Sequence, residues 1–247
     1  MAINKESTGF TFGFAIVLVI ILGVILASLA EGLKPMKEKN VRVKKQIDIL
    51  SAMMDVEEAN IDRSNAETEF SKYVKLEEAV VLNKDGNEVG KGKSAFEIDI
   101  KKEFRDKTLE EKDKKFPLFI AKNKEGASRF IIPVVGKGLW GPIWGYICLE
   151  EDMNTIAGVS FDHKTETPGL GAEINKPFFM DRWKKSEISD SEGDFKKYEV
   201  VKDNSGTTDP SKVDGITGGT ITSKGVEEMV NRSLTIYTNY FKTRKSK

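Results

Sequence analysis

Residues 130–149 read FIIPVVGKGLWGPIWGYICL, and this stretch decides the fold class. Its two apolar runs, 130–135 and 143–149, are rich in the β-branched and aromatic residues that favour strands. Between them, residues 136–141 hold three glycines, which are typical of turns. The stretch therefore predicts two consecutive strands joined by a short loop.

Short apolar runs on both sides extend this pair into a meander. Further strands are expected at 118–121, 156–161 and 197–201, and strand-like residues also flank Asp85-Gly86, a hairpin signal. Helices are expected at 37–54, 63–76, 177–185 and from Ser223 onward. Because these helices do not alternate with the strands, the pattern predicts an α+β fold with a mostly antiparallel sheet.

The N-terminal region contains 21 uncharged residues, Phe10 to Ala30. At about 1.5 Å per residue, a helix of this length spans a hydrocarbon core about 30 Å thick. A cleaved signal peptide is the alternative, since Ser28-Leu29-Ala30 resembles a cleavage site. The apolar run exceeds the usual core of a signal peptide, which favours a single transmembrane helix in contact with membrane lipid.

Composition excludes several classes of function. The 39 basic and 39 acidic residues balance, which argues against a nucleic-acid partner. One histidine, His163, and one cysteine, Cys148, cannot form a zinc or iron–sulfur site, so no metal is expected. No set of catalytic side chains is predicted either, and Cys148 is expected to fill the core.

A glycine-rich turn precedes the last predicted helix. Residues 214–223 read DGITGGTITS, and apolar positions at helical spacing follow them. Ser223 is the expected N-cap. A helix N-terminus favours an anion, so this turn could bind a phosphate, although a simple turn and cap is the ordinary interpretation.

Two further segments carry unusual patterns. Residues 166–171 read ETPGLG, a Pro-Gly loop that can approach a flat ring. Residues 136–141 satisfy the G-x-G-x-x-G pattern of dinucleotide folds. A strand rather than a helix is expected after Pro142, so a dinucleotide fold is rejected and NADH is expected to bind elsewhere.

Together these motifs resemble domains that carry covalently bound FMN. In that family a flavin transferase takes FMN from FAD and joins its phosphate to a threonine of an Asp-x-x-Ser/Thr-Gly-Ala-Thr motif. The resemblance implies that Thr220 is the attachment residue and Asp214 the acidic position that the transferase recognises. This chain has Gly219 where the family usually has alanine. The resemblance implies that the cofactor-binding residues are Thr220, Asp214, Thr217, Gly218, Gly219, Ile221, Thr222, Glu166, Thr167, Gly169, Leu170, Leu139 and Trp140.

The segment around Leu139 and Trp140 is most similar to the C subunit of sodium-translocating NADH:quinone oxidoreductases. This resemblance implies an electron-transfer component of a multi-subunit complex that oxidises NADH, reduces ubiquinone and exports sodium. Two alternatives stay open. One is the G subunit of the ferredoxin-linked Rnf complex, with the same covalent FMN. The other is a flavin-free membrane-anchored sensor or binding module.

The expected domain division is a short N-terminal segment (1–9), a transmembrane helix (10–30), a helical stalk (31–78) and the FMN-binding domain (79–247). Basic residues follow the span, and the positive-inside rule alone would place the domain in the cytoplasm. Long domains translocate largely regardless of charge. The family resemblance therefore leads us to expect a bacterial inner-membrane protein with its flavin domain in the periplasm.

Overall fold

The structure, a computed structural model, describes residues 7–203 and 205–245. The chain divides into two compact units, Met1–Lys45 and Gln46–Lys247. Its helices are α1 (Thr8–Ser51), α2 (Ala66–Tyr73), α3 (Ser94–Glu97), α4 (Ile100–Arg105), α5 (Pro177–Met180) and α6 (Thr220–Lys245). Its strands are β1 (Val80–Leu82), β2 (Glu88–Lys91), β3 (Phe116–Lys122), β4 (Ser128–Lys137), β5 (Pro142–Leu149), β6 (Ile156–His163), β7 (Glu199–Val201) and β8 (Lys212–Asp214).

The first unit is formed by most of α1. Its most apolar window has a mean hydropathy of 3.0, and none of that window is buried. Among the described residues, α1 is the one helix long and apolar enough to cross a membrane, which is consistent with membrane anchoring. The helices expected at 10–30 and 37–54 are parts of this one helix, which continues through Pro35 and ends at Ser51.

The second unit is built on a six-stranded antiparallel sheet with the strand order β2-β1-β3-β4-β5-β6. The two strands predicted from residues 130–149 pair along their whole length, from Phe130 opposite Leu149 to Lys137 opposite Pro142. The predicted α+β class is therefore confirmed. Strands β4 and β5 are buried almost throughout rather than alternating in exposure, because elements cover both faces of the sheet.

Helix α6 covers one face of the sheet. Its apolar side packs into the main core with Ile132, Ile147 and Trp183. Two glycines let the helix approach β4 closely. A Cβ on Gly225 would lie 2.3 Å from the carbonyl oxygen of Lys137, and one on Gly136 would lie 2.7 Å from Cβ of Met229. The start of α6 is thereby held against the end of β4.

A smaller aromatic cluster covers the opposite face. Phe70 of α2 contacts Phe96 of α3 edge-on, and Phe96 contacts Phe119 of β3 in the same way. The sheet edge is tied to the end of α1, where the Ser51 hydroxyl donates to the Ser160 hydroxyl at 2.8 Å. The sheet is thus enclosed between helices on both sides.

Several short elements were not expected from the sequence. Strand β8, which leads into the glycine-rich turn, pairs in parallel with β7 through Val200 and Val213. Helices α3 and α4 were also missed. Elements of three to six residues are too short to show a hydrophobic period, so this pattern does not reveal them.

Candidate functional site

Helix α6 begins at Thr220, inside the glycine-rich turn. Its first i to i−4 hydrogen bond runs from Ser223 N to Gly219 O at 2.9 Å. The N–H groups of Thr220, Ile221 and Thr222 therefore precede the helical ladder and have no acceptor within the helix. These N–H groups and the helix dipole make this end favourable for an anion.

The predicted N-cap was wrong. Ser223 lies in the first turn of α6 and is almost fully buried. Its hydroxyl accepts the N–H of Ile216 at 3.1 Å, which ties the turn back onto the helix. The helix starts earlier than expected because Gly218, with φ of 75°, supplies the sharp turn that brings Gly219 to the helix start.

The segment 166–171 forms a tight loop beside this helix start. The Thr167 carbonyl accepts the N–H groups of Leu170 and Ala172, both at 3.1 Å. Gly169 has φ of 76°, which only glycine adopts without strain, and its N–H donates to Oε1 of Glu173 at 2.9 Å. The loop consequently turns Leu170 toward α6.

Glu166 connects three segments of the site. Its Oε1 accepts the N–H groups of Trp140 at 2.8 Å and Gly141 at 3.2 Å. Its Oε2 accepts the Thr222 hydroxyl at 2.5 Å. The side chain is 5% exposed, so a partner lost here would leave buried polar groups unpaired. Glu166 acts as a clamp between the β4–β5 loop, its own loop and α6.

The β4–β5 loop presents the third wall. The N–H of Gly138 donates to the carbonyl of Gly141 at 2.8 Å, which closes a tight turn. Leu139 and Trp140 lie at its tip, and Trp140 is 68% exposed. A large aromatic side chain so exposed beside a cavity offers a flat surface to a ligand.

These three segments enclose a cavity of about 220 Å³. It is lined by Leu139, Trp140, Glu166, Thr167, Leu170, Gly171, Gly218, Gly219, Thr220, Ile221 and Thr222. All of these except Gly171 are among the residues expected to contact a flavin. The structure places three of the expected residues outside the lining: Thr217, Gly169 and Asp214.

Gly171 was missed because its role depends on contacts that the sequence does not show. A Cβ at this position would lie 2.5 Å from both Oε2 of Glu166 and Oγ1 of Thr222. Gly218 is restricted similarly, since its Cβ would lie 2.6 Å from Cδ2 of Leu170. The bare backbone at both positions lets the two motifs meet and keeps the cavity open.

The lining fits the chemistry of FMN. Apolar surfaces of Leu139, Trp140 and Leu170 suit an aromatic ring system. The hydroxyl of Thr220 and the N–H groups at the start of α6 suit a phosphate. Among the described residues, no group of three or more potential metal ligands occurs.

The single cysteine lies away from this site. Cys148 is buried in β5, opposite Ile131 of β4. Burial raises the pKa of its thiol to about 12, so the reactive thiolate is negligible near neutral pH. Its expected role as a core residue agrees with complete burial.

Asp214 occupies a different position from the other motif residues. Its Oδ1 accepts the N–H of Gly206 at 3.1 Å, and Asp214 is not among the residues that line the cavity. Its main-chain carbonyl accepts a hydrogen bond from Nη1 of Arg182, which also donates to the carbonyl of Gly215 at 3.2 Å. Asp214 is only 9% exposed.

Comparison with known proteins identifies related chains. Residues 138–235 match the FMN-binding domain family. The C subunit of the Na(+)-translocating NADH-quinone reductase of Vibrio campbellii is 30% identical, over 92% of this chain and 90% of the relative. The protein of the same name from Neisseria meningitidis serogroup B is 31% identical, over 91% of this chain and 88% of the relative.

Solved structures agree with these sequence matches. The crystal structure of the C subunit of a Na(+)-translocating NADH-quinone reductase from Parabacteroides distasonis is 39% identical. It has a TM-score of 0.72 and covers 84% of this chain and 96% of its own. NqrC of Shewanella oneidensis, at 24% identity and a TM-score of 0.65 over 83% of this chain and 98% of its own, shares the fold.

Proposed function

The chain belongs to the family of the C subunits of Na(+)-translocating NADH-quinone reductases, and from this membership we propose that it carries FMN covalently on Thr220. The flavin would be joined through a phosphoester to Oγ1 of Thr220. The chain would then serve as an electron-transfer subunit of a membrane complex that couples NADH oxidation and ubiquinone reduction to sodium export.

One observation carries this proposal. Thr220 is both the first residue of α6 and part of the cavity lining. A phosphate attached to its hydroxyl lies at the positive end of the helix, beside N–H groups that have no helical acceptor. This position supports the proposal, because Thr220 would supply the attachment point and the neighbouring N–H groups would stabilise the attached phosphate.

The other lining residues would hold and orient the ring system. Leu139, Trp140 and Leu170 supply apolar contacts, while Glu166 fixes the loop that carries Trp140. When bound, FMN supplies the redox chemistry, and the protein sets its position and electrostatic surroundings. The exposure of Trp140 and Ile221 leaves one side of the cavity open, where a neighbouring protein of the complex could approach for electron transfer.

The partners follow from the same proposal. NADH and ubiquinone would bind to other subunits, and a flavin transferase would load the FMN during maturation. Helix α1 would anchor the chain to lipid by a single pass through the bacterial inner membrane. The flavin domain would lie in the periplasm.

The attachment is tested by peptide mass spectrometry on protein purified from native membranes. Trypsin cuts after Lys212 and Lys224, so residues 213–224 form one peptide that contains Thr217, Thr220 and Thr222. We expect this peptide to carry the mass of FMN, and fragmentation to assign it to Thr220. The denatured polypeptide should fluoresce on a gel under ultraviolet light.

Two isosteric variants provide the matched comparison. Thr220→Val should abolish the covalent label, whereas Thr222→Val removes another hydroxyl of the same cavity together with its bond to Glu166, and whatever label forms in it should still be on Thr220. A label that persists in Thr220→Val, or that maps to Thr222, contradicts the proposal. A dark wild-type band in cells with active transferase favours the flavin-free binding module.

The orientation is tested by labelling a cysteine in intact cells. Lys124 lies in the exposed turn between β3 and β4, and the native Cys148 is buried. Lys124→Cys should react with a membrane-impermeant maleimide once the outer membrane is permeabilised. Reaction only after lysis of the inner membrane would place the domain in the cytoplasm.

A further inference from the structure

The acidic residue of the attachment motif is hidden in the folded chain. Asp214 is 9% exposed and its Oδ1 accepts the N–H of Gly206. By contrast, Thr217 and Gly218 of the same motif are exposed, and Thr220 lines an open cavity. An enzyme that docks on the folded surface therefore meets the hydroxyl in an open cavity, whereas about nine-tenths of Asp214 is covered.

The backbone of Asp214 is fixed to the core. Val213 before it and Ile216 after it are buried in the main core. Arg182, which precedes the fully buried Trp183, donates to the carbonyls of Asp214 and Gly215. These contacts hold Asp214 in place, so the covered part of its side chain becomes accessible only when the segment packed over it moves.

Residues 205–211 form that covering segment, which we call the cover. Several of its hydrogen bonds are local, such as those from Thr208 N and Asp209 N to Ser205 O at 3.2 and 3.1 Å. Its 3₁₀ turn, Ser205–Thr207, contributes no buried residue. Segments with little buried apolar surface open locally at low free-energy cost. The end of the cover is tied to β7, because the Ser211 carbonyl accepts the N–H of Glu199 at 2.9 Å, so the part around Gly206 is the part that can move.

Gly206 makes this closed arrangement possible. A Cβ at position 206 would lie 2.7 Å from the main-chain N and 3.0 Å from Cγ of Asp214. Any side chain here would push the cover away from Asp214. A substitution of Gly206 is therefore expected to open the cover without changing any residue of the attachment motif.

We propose that the flavin transferase contacts Asp214 only after the cover, residues 205–211, has moved away from it. The rate at which the cover opens would then control the rate of flavin attachment to Thr220. This inference rests on the proposed function, because it assumes that Thr220 is the residue modified. It adds a step that precedes the transfer and belongs to the acceptor chain.

The chemical step itself is a balanced group transfer. A bond forms between Oγ1 of Thr220 and the flavin-side phosphorus of FAD, and the P–O bond of the pyrophosphate breaks. AMP leaves with the bridging oxygen, and the hydroxyl proton of Thr220 passes to the products. No oxidant or reductant is needed. Opening of the cover changes only how often the acceptor presents its motif.

The experiment uses the folded full-length chain in detergent, produced without transferase. Purified transferase and FAD are added, and covalent flavin is followed by in-gel fluorescence and intact mass. Gly206→Ala should be labelled about fivefold faster or more, the factor expected from a local destabilisation of ordinary size. Gly158→Ala is the matched control, because its Cβ would lie 2.6 Å from the Ala52 carbonyl, outside the cover.

Hydrogen exchange supplies a readout that does not depend on labelling. The main-chain N–H of residue 206 should exchange with solvent faster in Gly206→Ala than in the wild type. In Gly158→Ala, the exchange rate of the same N–H should equal that of the wild type. Adding Asp214→Asn to Gly206→Ala should reduce labelling again, since the carboxylate to be read is gone. This combination separates opening of the cover from recognition of Asp214.

Three results would overturn the gate. One is equal labelling rates for the wild type and Gly206→Ala despite faster exchange at position 206. The second is an equal acceleration by Gly158→Ala, which would indicate general destabilisation. The third is faster labelling of Asp214→Asn alone, which would make Asp214 a latch that the enzyme does not read. Absence of label from every chain, including protein from native membranes, would instead contradict attachment at Thr220 itself.

Discussion

Glu166 and Asp214 are both buried carboxylates at the start of a motif, but they differ in their hydrogen-bond partners and in their position relative to the cavity. Glu166 accepts two main-chain N–H groups and one hydroxyl, and it lines the cavity. Asp214 accepts the N–H of Gly206 and lies outside the lining. Glu166 joins the segments that form the walls of the cavity, whereas Asp214 holds a surface segment outside the cavity.

The difference shows that a motif position does not define a role. Both residues look like ligand-contacting groups when the sequence is considered alone. Their partners separate them, because those of Glu166 lie on segments that form cavity walls, while the side-chain partner of Asp214 lies on the cover. The comparison can be tested by removing each carboxylate and measuring how much stability is lost.

The largest effect is expected at Glu166. Glu166→Ala leaves the N–H groups of Trp140 and Gly141 and the hydroxyl of Thr222 without their acceptor. We expect the free energy of unfolding to fall by about 3 kcal/mol or more, since each unpaired buried group costs roughly 1–3 kcal/mol. Thermal unfolding of the full chain in detergent measures this loss.

Glu166→Gln is the control for shape. Its amide keeps one acceptor oxygen, so the loss should be smaller than for alanine. A Glu166→Ala variant as stable as the wild type would show that the hydrogen bonds of Glu166 are not needed for stability. Glu166 and Asp214 would then not differ in their contribution to the fold.

A smaller effect is expected at Asp214. Asp214→Ala removes the acceptor of the Gly206 N–H, and the cover can then turn this group toward water. We expect a loss of about 1 kcal/mol, close to the typical worth of one hydrogen bond. The same thermal measurement applies, and a loss as large as that of Glu166→Ala would mean that Asp214 also supports the core.

The smallest effect is expected at Glu88, a partly exposed carboxylate that serves as a reference. The hydrogen bond from Lys91 is the main reason that its pKa lies below the ordinary value of 4.5; burial opposes this shift, and the hydrogen bond from Tyr240 adds to it. Because the pKa is lowered in the folded state, the stabilisation is fully present above the unfolded-state pKa of 4.5 and is lost as the pH falls through the lower pKa of the folded state. Glu88→Gln should cost less than about 1 kcal/mol.

Salt and pH separate this reference from the buried pair. The loss of unfolding free energy caused by Glu88→Gln should become smaller in high salt. It should disappear below the pH at which Glu88 protonates in the folded chain. Unfolding curves at two ionic strengths and at several acidic pH values measure it. A cost that persists unchanged in high salt would contradict an electrostatic origin.

Much of the sheet was predictable from the sequence, because β4 and β5 carry long apolar runs separated by glycines. The boundaries were less certain, since Lys137 and His163 extend strands beyond their apolar parts. Helices α3 and α4 and strand β8 could not be found in this way. They are only three to six residues long, which is too short for a hydrophobic period to appear in the sequence.

The site was predictable where a motif carries a local signal. The segments around Trp140, Glu166 and Thr220 were identified by resemblance, and the structure brings them to one cavity. The role of Gly171 and the burial of Asp214 were not predictable. Each depends on a partner that no local pattern specifies, as the bond between Glu166 and Thr222 across 56 positions illustrates. Ser223 was misassigned because the helix begins before the residue that best fits a cap.

The two bare glycines in the cavity wall also bear on how this sequence can evolve. Gly171 faces Glu166 and Thr222, and Gly218 faces Leu170. A larger residue at either glycine is tolerated only if the facing side chain shrinks in the same lineage. The loop at 166–171 and the turn before α6, although far apart in the gene, are therefore expected to mutate as a coupled pair, with neither drifting alone.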